Sequence, residues 1–321
     1  MKNTDYTFAV ARIRANENSL FSSSELQTVI ASGSYEEAVR RLNDRGYAIS
    51  GTDYAPAIEK RTGDMWKLVY DILPDKTQFD SILIENDFQN LKVCLKAFFC
   101  GKKTDGLFFS PCVYDPAETE KNVIKRNNAA LPMPLQHADR SAYRILSQTR
   151  FAQLADGVID RAAMEWSIKL AEKADDPIMR EIAQHKVAAA DIRTVYRCVK
   201  ADKDISFTER CVAECDAFDK KSLISSAYKG NEAFFAYLSS TELSGAGDAL
   251  GESPAAFEKW CDDRLIGILR KAKGEIYGIS PIAAYYFAVK SEAANVRIIL
   301  SGKRNGASED TVRQRVRELY V

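Results

Sequence analysis

Tyr285–Lys303 reads YYFAVKSEAANVRIILSGK, and it predicts one long buried helix. Ile282, Tyr285, Tyr286, Val289, Ala293, Val296, Ile299 and Leu300 recur at helical spacing and form a broad apolar face. Glu292 falls inside that face. A buried carboxylate is too costly to stand alone, so it needs a partner or a path to solvent. The helix read at DYTFAVARIRANE offers Arg12 and Arg14 as internal partners for Glu292 and for Asp87, which holds the same place in an earlier stretch. The competing reading lets Glu292 reach water at the edge of the face.

The earlier stretch is ENDFQNLKVCLKAFF, and a third is HKVAAADIRTVYRCVK. Aligned, they share a short polar residue, a branched apolar one and a base. These are Asn90-Leu91-Lys92, Asp191-Ile192-Arg193 and Asn295-Val296-Arg297, at offsets of 101 (191 − 90) and 104 (295 − 191) residues. Asp87 aligns with Ala188 and Glu292. A second echo sits at nearly twice that period: ELQTVIASGSYEEAVRRL at Leu26 resembles SLISSAYKGNEAFFAYL at Leu223, 197 residues on (223 − 26). Self-similarity at one period predicts three copies of a helical module, with boundaries 1–113, 114–215 and 216–321.

Elsewhere the helix starts are well marked. Ser22 with Glu25 and Ser34 with Glu37 fit the capping box. Asp176-Pro177, Ser253-Pro254 and Ser280-Pro281 place a cap before a proline at the first helical position. Gly33, Gly46, Gly101, Gly230 and Gly302 fall where helices should stop. No sustained period-2 alternation occurs, so the expected class is all-α. ISGTDYAP, YDPAETE, LPMPLQHADR and ELSGAGDALGESP read as short loops. The terminal SEDTVRQRVRELY reads as a capped helix with Val312, Val316 and Leu319 on one side and arginines on the other, either a solvated face or a dock for an acidic partner.

Composition excludes more than it proposes. Basic and acidic residues are equal, 45 each, which argues against a nucleic-acid partner. Seven cysteines, no CxxC and two histidines give no zinc set and no disulfide framework. They read as reduced, packed thiols of a cytosolic protein. The N-terminus has no signal core, and PIAAYYFAV is far shorter than a membrane span. FFCGKKT and LSGKR lack the glycine five residues earlier and the following Ser or Thr of a phosphate loop, so they read as glycine caps. No HExxH, no GxSxG and no cysteine–histidine pair emerges. His137 lies in a Pro-rich link, and His185 reads as packing or surface. No catalytic residue, cofactor or metal site is expected.

The opening DYTFAVARIRANENSLFSSSELQTVI, through Tyr6, Phe8, Ala11, Arg12, Arg14 and Glu17, resembles the start of the C subunits of bacterial and archaeal V/A-type rotary ATPases, counterparts of the eukaryotic d subunit. IENDFQNLKVCLKAFFCGK and YYFAVKSEAANVRIILSGK resemble that family's two Asn-(Leu/Val)-(Lys/Arg) helices. The likeness spans the whole chain and is weakest from Tyr114 to Asp175. It implies three similar helical domains around a pseudo-threefold axis, shaped as a funnel. It implies a non-catalytic adaptor of the central rotor. That adaptor joins the central axle of the ATPase head to the membrane rotor ring and passes torque for ATP-coupled H+ or Na+ transport. One copy per complex, peripheral on the cytoplasmic side of the membrane, is the implied setting. Asn90, Lys92, Asp191, Arg193, Asn295 and Arg297 are candidates for the funnel lining or the domain joints. A free-standing helical scaffold and an unrecognised hydrolase are the competing readings.

Overall fold

The computed structural model describes residues 6–321. Asp5, where the family-like opening begins, lies outside them. The described residues hold sixteen α-helices and no strand beyond two isolated bridges, Ser50 with Asp53 and Cys215 with Phe218. The protein is all-α.

A run of four helices can be followed three times along the chain, each ending in two long helices; its first two helices are short in the first and third runs, whereas the second helix of the second run has 17 residues. The first run is α2 (Ser23–Ile30), α3 (Tyr35–Asp44), α4 (Ala55–Ile72) and α5 (Asp80–Cys100). The second is α6 (Pro116–Ile124), α7 (Met133–Thr149), α8 (Ala152–Lys173) and α9 (Pro177–Lys200). The third is α11 (Lys220–Tyr228), α12 (Asn231–Ser239), α14 (Pro254–Arg270) and α15 (Ser280–Arg304). α1 (Thr7–Glu17) precedes the first run, α13 (Ala246–Glu252) interrupts the third, and α10 (Ile205–Cys211) and α16 (Glu309–Arg315) follow the second and third.

Two compact units are built from these elements. One joins the residues up to Lys76 with Asp248–Val321; the other is Thr77–Gly247. In the first unit α15 packs along α4 and also meets α1, α3, α14 and α16. Its first half is buried all round, from Ser280 to Val289, and the whole predicted stripe is buried. Leu26, Ile30, Leu42, Ile58, Val296 and Val312 share its core. In the second unit α5 packs along α8, and Phe88, Leu91, Leu135, Ile145 and Ile159 fill the centre. In each unit, then, the fourth helix of one run lies along the third helix of another.

Most local signals hold. Ser22 and Glu25 form a complete capping box. Ser34 accepts the Glu37 N–H, but the Glu37 carboxylate reaches back to Gly33 N–H rather than closing the box. Asp176 and Ser253 cap α9 and α14 from before their prolines. Ser280 does not cap: Ile279 is the flanking residue and Ser280 is the first helical one.

All four expected loops are partly helical, and ISGTDYAP enters α4 at Ala55. YDPAETE enters α6 at Pro116, LPMPLQHADR enters α7 at Met133, and α13 lies inside ELSGAGDALGESP. Proline lacks an N–H, and the first helical turn does not need one, so these prolines open helices instead of breaking them. His137 is thus on α7, where it is exposed. All seven cysteines are free thiols; Cys94, Cys198, Cys211 and Cys261 are buried and Cys100 is exposed.

Glycine placement gives one correction. Gly101 caps α5 with φ +63°, a left-handed conformation that glycine adopts without strain. Gly302 does not stop α15; it lies within the helix, and the turn beyond uses Gly306 with φ +68°. Gly302 is needed because α16 folds back over it. A Cβ there would stand 2.6 Å from Cγ2 of Val312. In an exposed helix Gly→Ala adds about 0.5–1 kcal/mol of stability. Here Gly302→Ala should instead cost about 1 kcal/mol or more, because an overfilled contact strains its stiff β-branched neighbour. In a Val312→Ala background the same change should turn stabilising. Urea midpoints of the four chains check this, and equal effects in both backgrounds would remove the steric explanation.

Candidate functional site

The three aligned helices, α5, α9 and α15, each carry a buried polar residue that grips the chain as it returns. Asn90 accepts the Phe109 N–H at 2.7 Å and donates to the Phe109 carbonyl at 3.1 Å. Asn295 accepts the Arg317 N–H at 2.8 Å and donates to the Arg317 carbonyl at 3.0 Å. Asp191 accepts the Ala213 N–H at 3.1 Å. An amide offers one acceptor and two donors, so asparagine can satisfy both backbone groups of a single residue. The aligned residues thus do one job, holding the segment 19 to 22 residues downstream.

One turn earlier stands the carboxylate that the stripe should not tolerate. Asp87 accepts N–H bonds from Val113 and Tyr114, both at 2.8 Å. Glu292 accepts the Phe21 N–H at 2.8 Å and the Tyr47 hydroxyl at 2.9 Å, with an Arg61 guanidinium nitrogen 3.4 Å away. Phe21 and Tyr114 have equivalent places. Each is the aromatic residue just before the cap of a run's first helix: Phe21-Ser22 before α2 and Tyr114-Asp115 before α6. Phe218-Asp219 stands likewise before α11, where the aligned Ala188 brings no carboxylate. The fourth helix of the first run therefore holds the entry of the second. The fourth helix of the third run holds the entry of the first, across 271 residues of chain.

Glu292 is 1% exposed, so it does not reach solvent. Its cation is Arg61, not Arg12 or Arg14. The reason is geometric: α4 lies along α15 and sets Arg61 against the carboxylate. Arg12 is exposed. Arg14 is committed elsewhere: it pairs with Glu17 at 2.8 Å, and donates to Tyr320 and to the carbonyls of Ala272, Lys273 and Glu275. This ties α1 to the loop ahead of α15. Asp87 has backbone N–H partners where an arginine was expected, since two converging N–H groups already meet its charge.

Burial dominates the titration of these groups. It pushes Asp87 up to about 6, against the pull of the Val113 and Tyr114 N–H groups. It also raises Glu292, against Phe21 N–H, Arg61 and Tyr47. The Tyr47 phenol is pushed up as well, by burial and by the Glu292 charge. A cleft of about 280 Å³ lies beside this cluster, lined by Ser19, Tyr47, Lys60, Arg61, Asp64 and Tyr285 among others. Among the described residues no three His, Cys, Asp or Glu side chains gather where they could hold a metal ion.

The three bases do not act alike. Lys92 is ion-paired with Asp160 of α8, beside a second pair, Lys96 with Asp156 at 2.8 Å. Arg193 is half-buried and Arg297 is exposed. At the C-terminus Arg317 pairs with Asp262 at 2.8 Å and Arg313 with Glu309; Val312, Val316 and Leu319 are all buried, but the helix expected through Tyr320 ends at Arg315, so Val316 and Leu319 pack from non-helical chain. Arg61, Tyr47 and Asp160 carry no sequence signal of their own. The aromatic-cap dipeptides at 21, 114 and 218 do carry one, at spacings of 93 (114 − 21) and 104 (218 − 114) residues.

The model of one protein family, ATP synthase (C/AC39) subunit, matches residues 9–315. The chain belongs to that family. It is similar to the C subunit of the V-type sodium ATPase of Enterococcus hirae, 21% identical over 317 residues, covering 96% of this chain and 97% of that one. It is also similar to the C subunit of the A-type ATP synthase of Methanocaldococcus jannaschii, 23% identical over 344 residues, covering 96% of this chain and 85% of the relative. The C/AC39 chain is thus a structural, non-catalytic subunit of a V/A-type ATPase, and its partners are other subunits of that complex. Among its described residues no helix is long and apolar enough to cross a membrane.

Two predictions concern the carboxylates. Glu292→Ala leaves Arg61, Tyr47 and the Phe21 N–H without their shared acceptor, and should cost about 3–5 kcal/mol. Glu292→Gln, which keeps an acceptor, should cost less. Urea denaturation ranks the two, and an Ala variant as stable as the parent would exclude the role given to Glu292. Asp87 rises from an ordinary 3.8 to about 6, so the unfolded chain ionises first as pH rises. Its contribution to stability falls between about pH 4 and 6, by about 3 kcal/mol, and is fully lost above. Asp87→Asn should flatten that part of the pH–stability curve while costing one N–H acceptor.

Proposed function

We propose that this chain is the central-rotor adaptor of a V/A-type ATPase. In this reading it is a socket for the end of the central axle on one side and rests on the membrane rotor ring on the other. It passes torque between ATP chemistry in the head and H+ or Na+ movement in the membrane. It sits at the cytoplasmic face, one copy per complex, built as three similar domains (1–113, 114–215 and 216–321) around a pseudo-threefold axis in a funnel.

The observation that carries the reading is the pair of equivalent grips. Asp87 holds the entry of the next run, and Glu292 of the last run holds the entry of the first. A linear stack of repeats has no use for the second contact, whereas a closed set of three does. A closed set suits a part that must enclose an axle. Torque transfer also needs segments that move together, and buried carboxylates gripping backbone N–H groups resist being pulled apart. Family membership over nearly the whole chain supplies the complex in which such a part would work.

Of the six candidate lining or joint residues, Asn90, Asp191 and Asn295 serve the return segments and Lys92 serves the α5–α8 contact. We propose Arg297, the exposed one, as a contact for the axle or ring. Reconstitution tests both levels. The purified chain should co-elute with the detergent-solubilised ring and the soluble head carrying its axle, and omitting it should separate head from ring. Arg297→Glu should weaken that bridge roughly tenfold or more without changing the melting temperature. Binding to neither partner would discard the adaptor reading in favour of a helical scaffold for other proteins.

A further inference from the structure

Asp191 occupies the place of Asn90 and Asn295, yet its hydrogen bonding is incomplete. Both asparagines use two atoms, an oxygen that accepts an N–H and an amide nitrogen that donates to the carbonyl of the same downstream residue. In Asp191 Oδ1 accepts the Ala213 N–H, while Oδ2 is buried and receives no hydrogen bond. The residue is 2% exposed. The equivalent atom of both asparagines donates to a backbone carbonyl, a bond that a bare carboxylate oxygen cannot make, and a buried oxygen without a partner is unfavourable.

No neighbouring cation answers it. α8 brings Arg161 and Glu165, and the Arg161 guanidinium goes to Glu165 at 2.7 Å. α11 brings Lys220, whose ammonium donates to the Val212 carbonyl at 2.6 Å. The charged residues of α10, Glu209 and Arg210, are exposed. The return segment itself carries the Cys215 thiol between two exposed acids, Glu214 and Asp216, and no base.

We propose that Asp191 is held as a neutral carboxylic acid that stands in for asparagine, its Oδ2–H donating to the Ala213 carbonyl, so that this grip alone of the three loosens as pH rises. On ionisation the proton leaves to solvent and the donor to that carbonyl is lost. Asp87 differs because it faces two N–H donors and so suits a carboxylate. Consistent with this, burial pushes Asp191 up to about 7, against the pull first of the Ala213 N–H and then of Lys220 and Arg161. The link from α9 through α10 to α11 becomes sensitive to the pH at which cells work. The equivalent link from α15 to the C-terminus does not.

Three full-length chains test this: parent, Asp191→Asn and Asn90→Asp, each unfolded in urea from pH 4 to pH 8. Asp191→Asn should gain stability over the parent as pH rises, with the gain levelling off above about 7. Asn90→Asp should import the opposite trend, losing stability over the parent as pH rises. An isotope-edited infrared titration of the Asp191 side chain in the parent should show a protonated carboxyl with a midpoint near 7. A midpoint in the ordinary carboxylate range, or an Asp191→Asn difference that does not change with pH, would overturn the proposal.

Discussion

Everything in this fold turns on placing a carboxylate where an apolar side chain would be cheaper. Glu292 and Asp87 sit on the inner stripes of long helices and lie within 3 Å of backbone N–H groups from distant parts of the chain. Burying such a group costs several kcal/mol unless its hydrogen bonds are complete. Once complete, the bonds are charge-assisted and short, and they permit little sliding. An apolar residue would pack the helix equally well but would leave the incoming aromatic N–H without an acceptor. The carboxylate therefore sets which segment docks and at what register, and the apolar stripe supplies most of the stability.

The same logic explains why the repeats are alike in geometry and unlike in residues. Position 90 and its equivalents must grip one residue of the return segment, a task for which asparagine has the right atoms. Position 87 and its equivalents must accept N–H groups, a task for carboxylates. The second run departs at both places, with Asp191 for asparagine and Ala188 for the carboxylate. A Cys215–Phe218 bridge stands near the entry of the third run, where the other two entries are held by a side chain. The repeat thus survives as an arrangement of backbone contacts, with substitutions tolerated where another contact holds the same segment.

A non-catalytic part of a rotary ATPase has no reacting atoms to position, and this chain's polar interior is organised accordingly. Its buried acids meet backbone N–H groups, hydroxyls or guanidinium groups, as Asp139 does with Arg126 at 3.1 Å. These are contacts that join segments. The buried thiols are pushed up by burial, Cys94 and Cys211 to about 12, and so remain protonated and unreactive. The chemistry spent inside the molecule goes into holding helices in register.

Much was legible in the sequence. Helical periodicity fixed the all-α class, the capping dipeptides marked most helix starts, and a short polar-apolar-basic motif picked out the three helices whose polar residue holds a downstream segment. The buried face of α15 followed from spacing alone, because the inward side of a helix is a local property of 3.6-residue geometry. The partners of Glu292 did not follow. Arg61, Tyr47 and the Phe21 N–H lie 231, 245 and 271 residues from it in the chain, and one of them is a backbone group that no side-chain pattern announces. Gly302 misled for a related reason: a glycine that ends a helix and one that admits a neighbouring Val312 are identical until α16 folds back. Periodicity determines which face each helix buries. Only the tertiary structure decides which distant segment that face receives, since that choice depends on the docking of other helices.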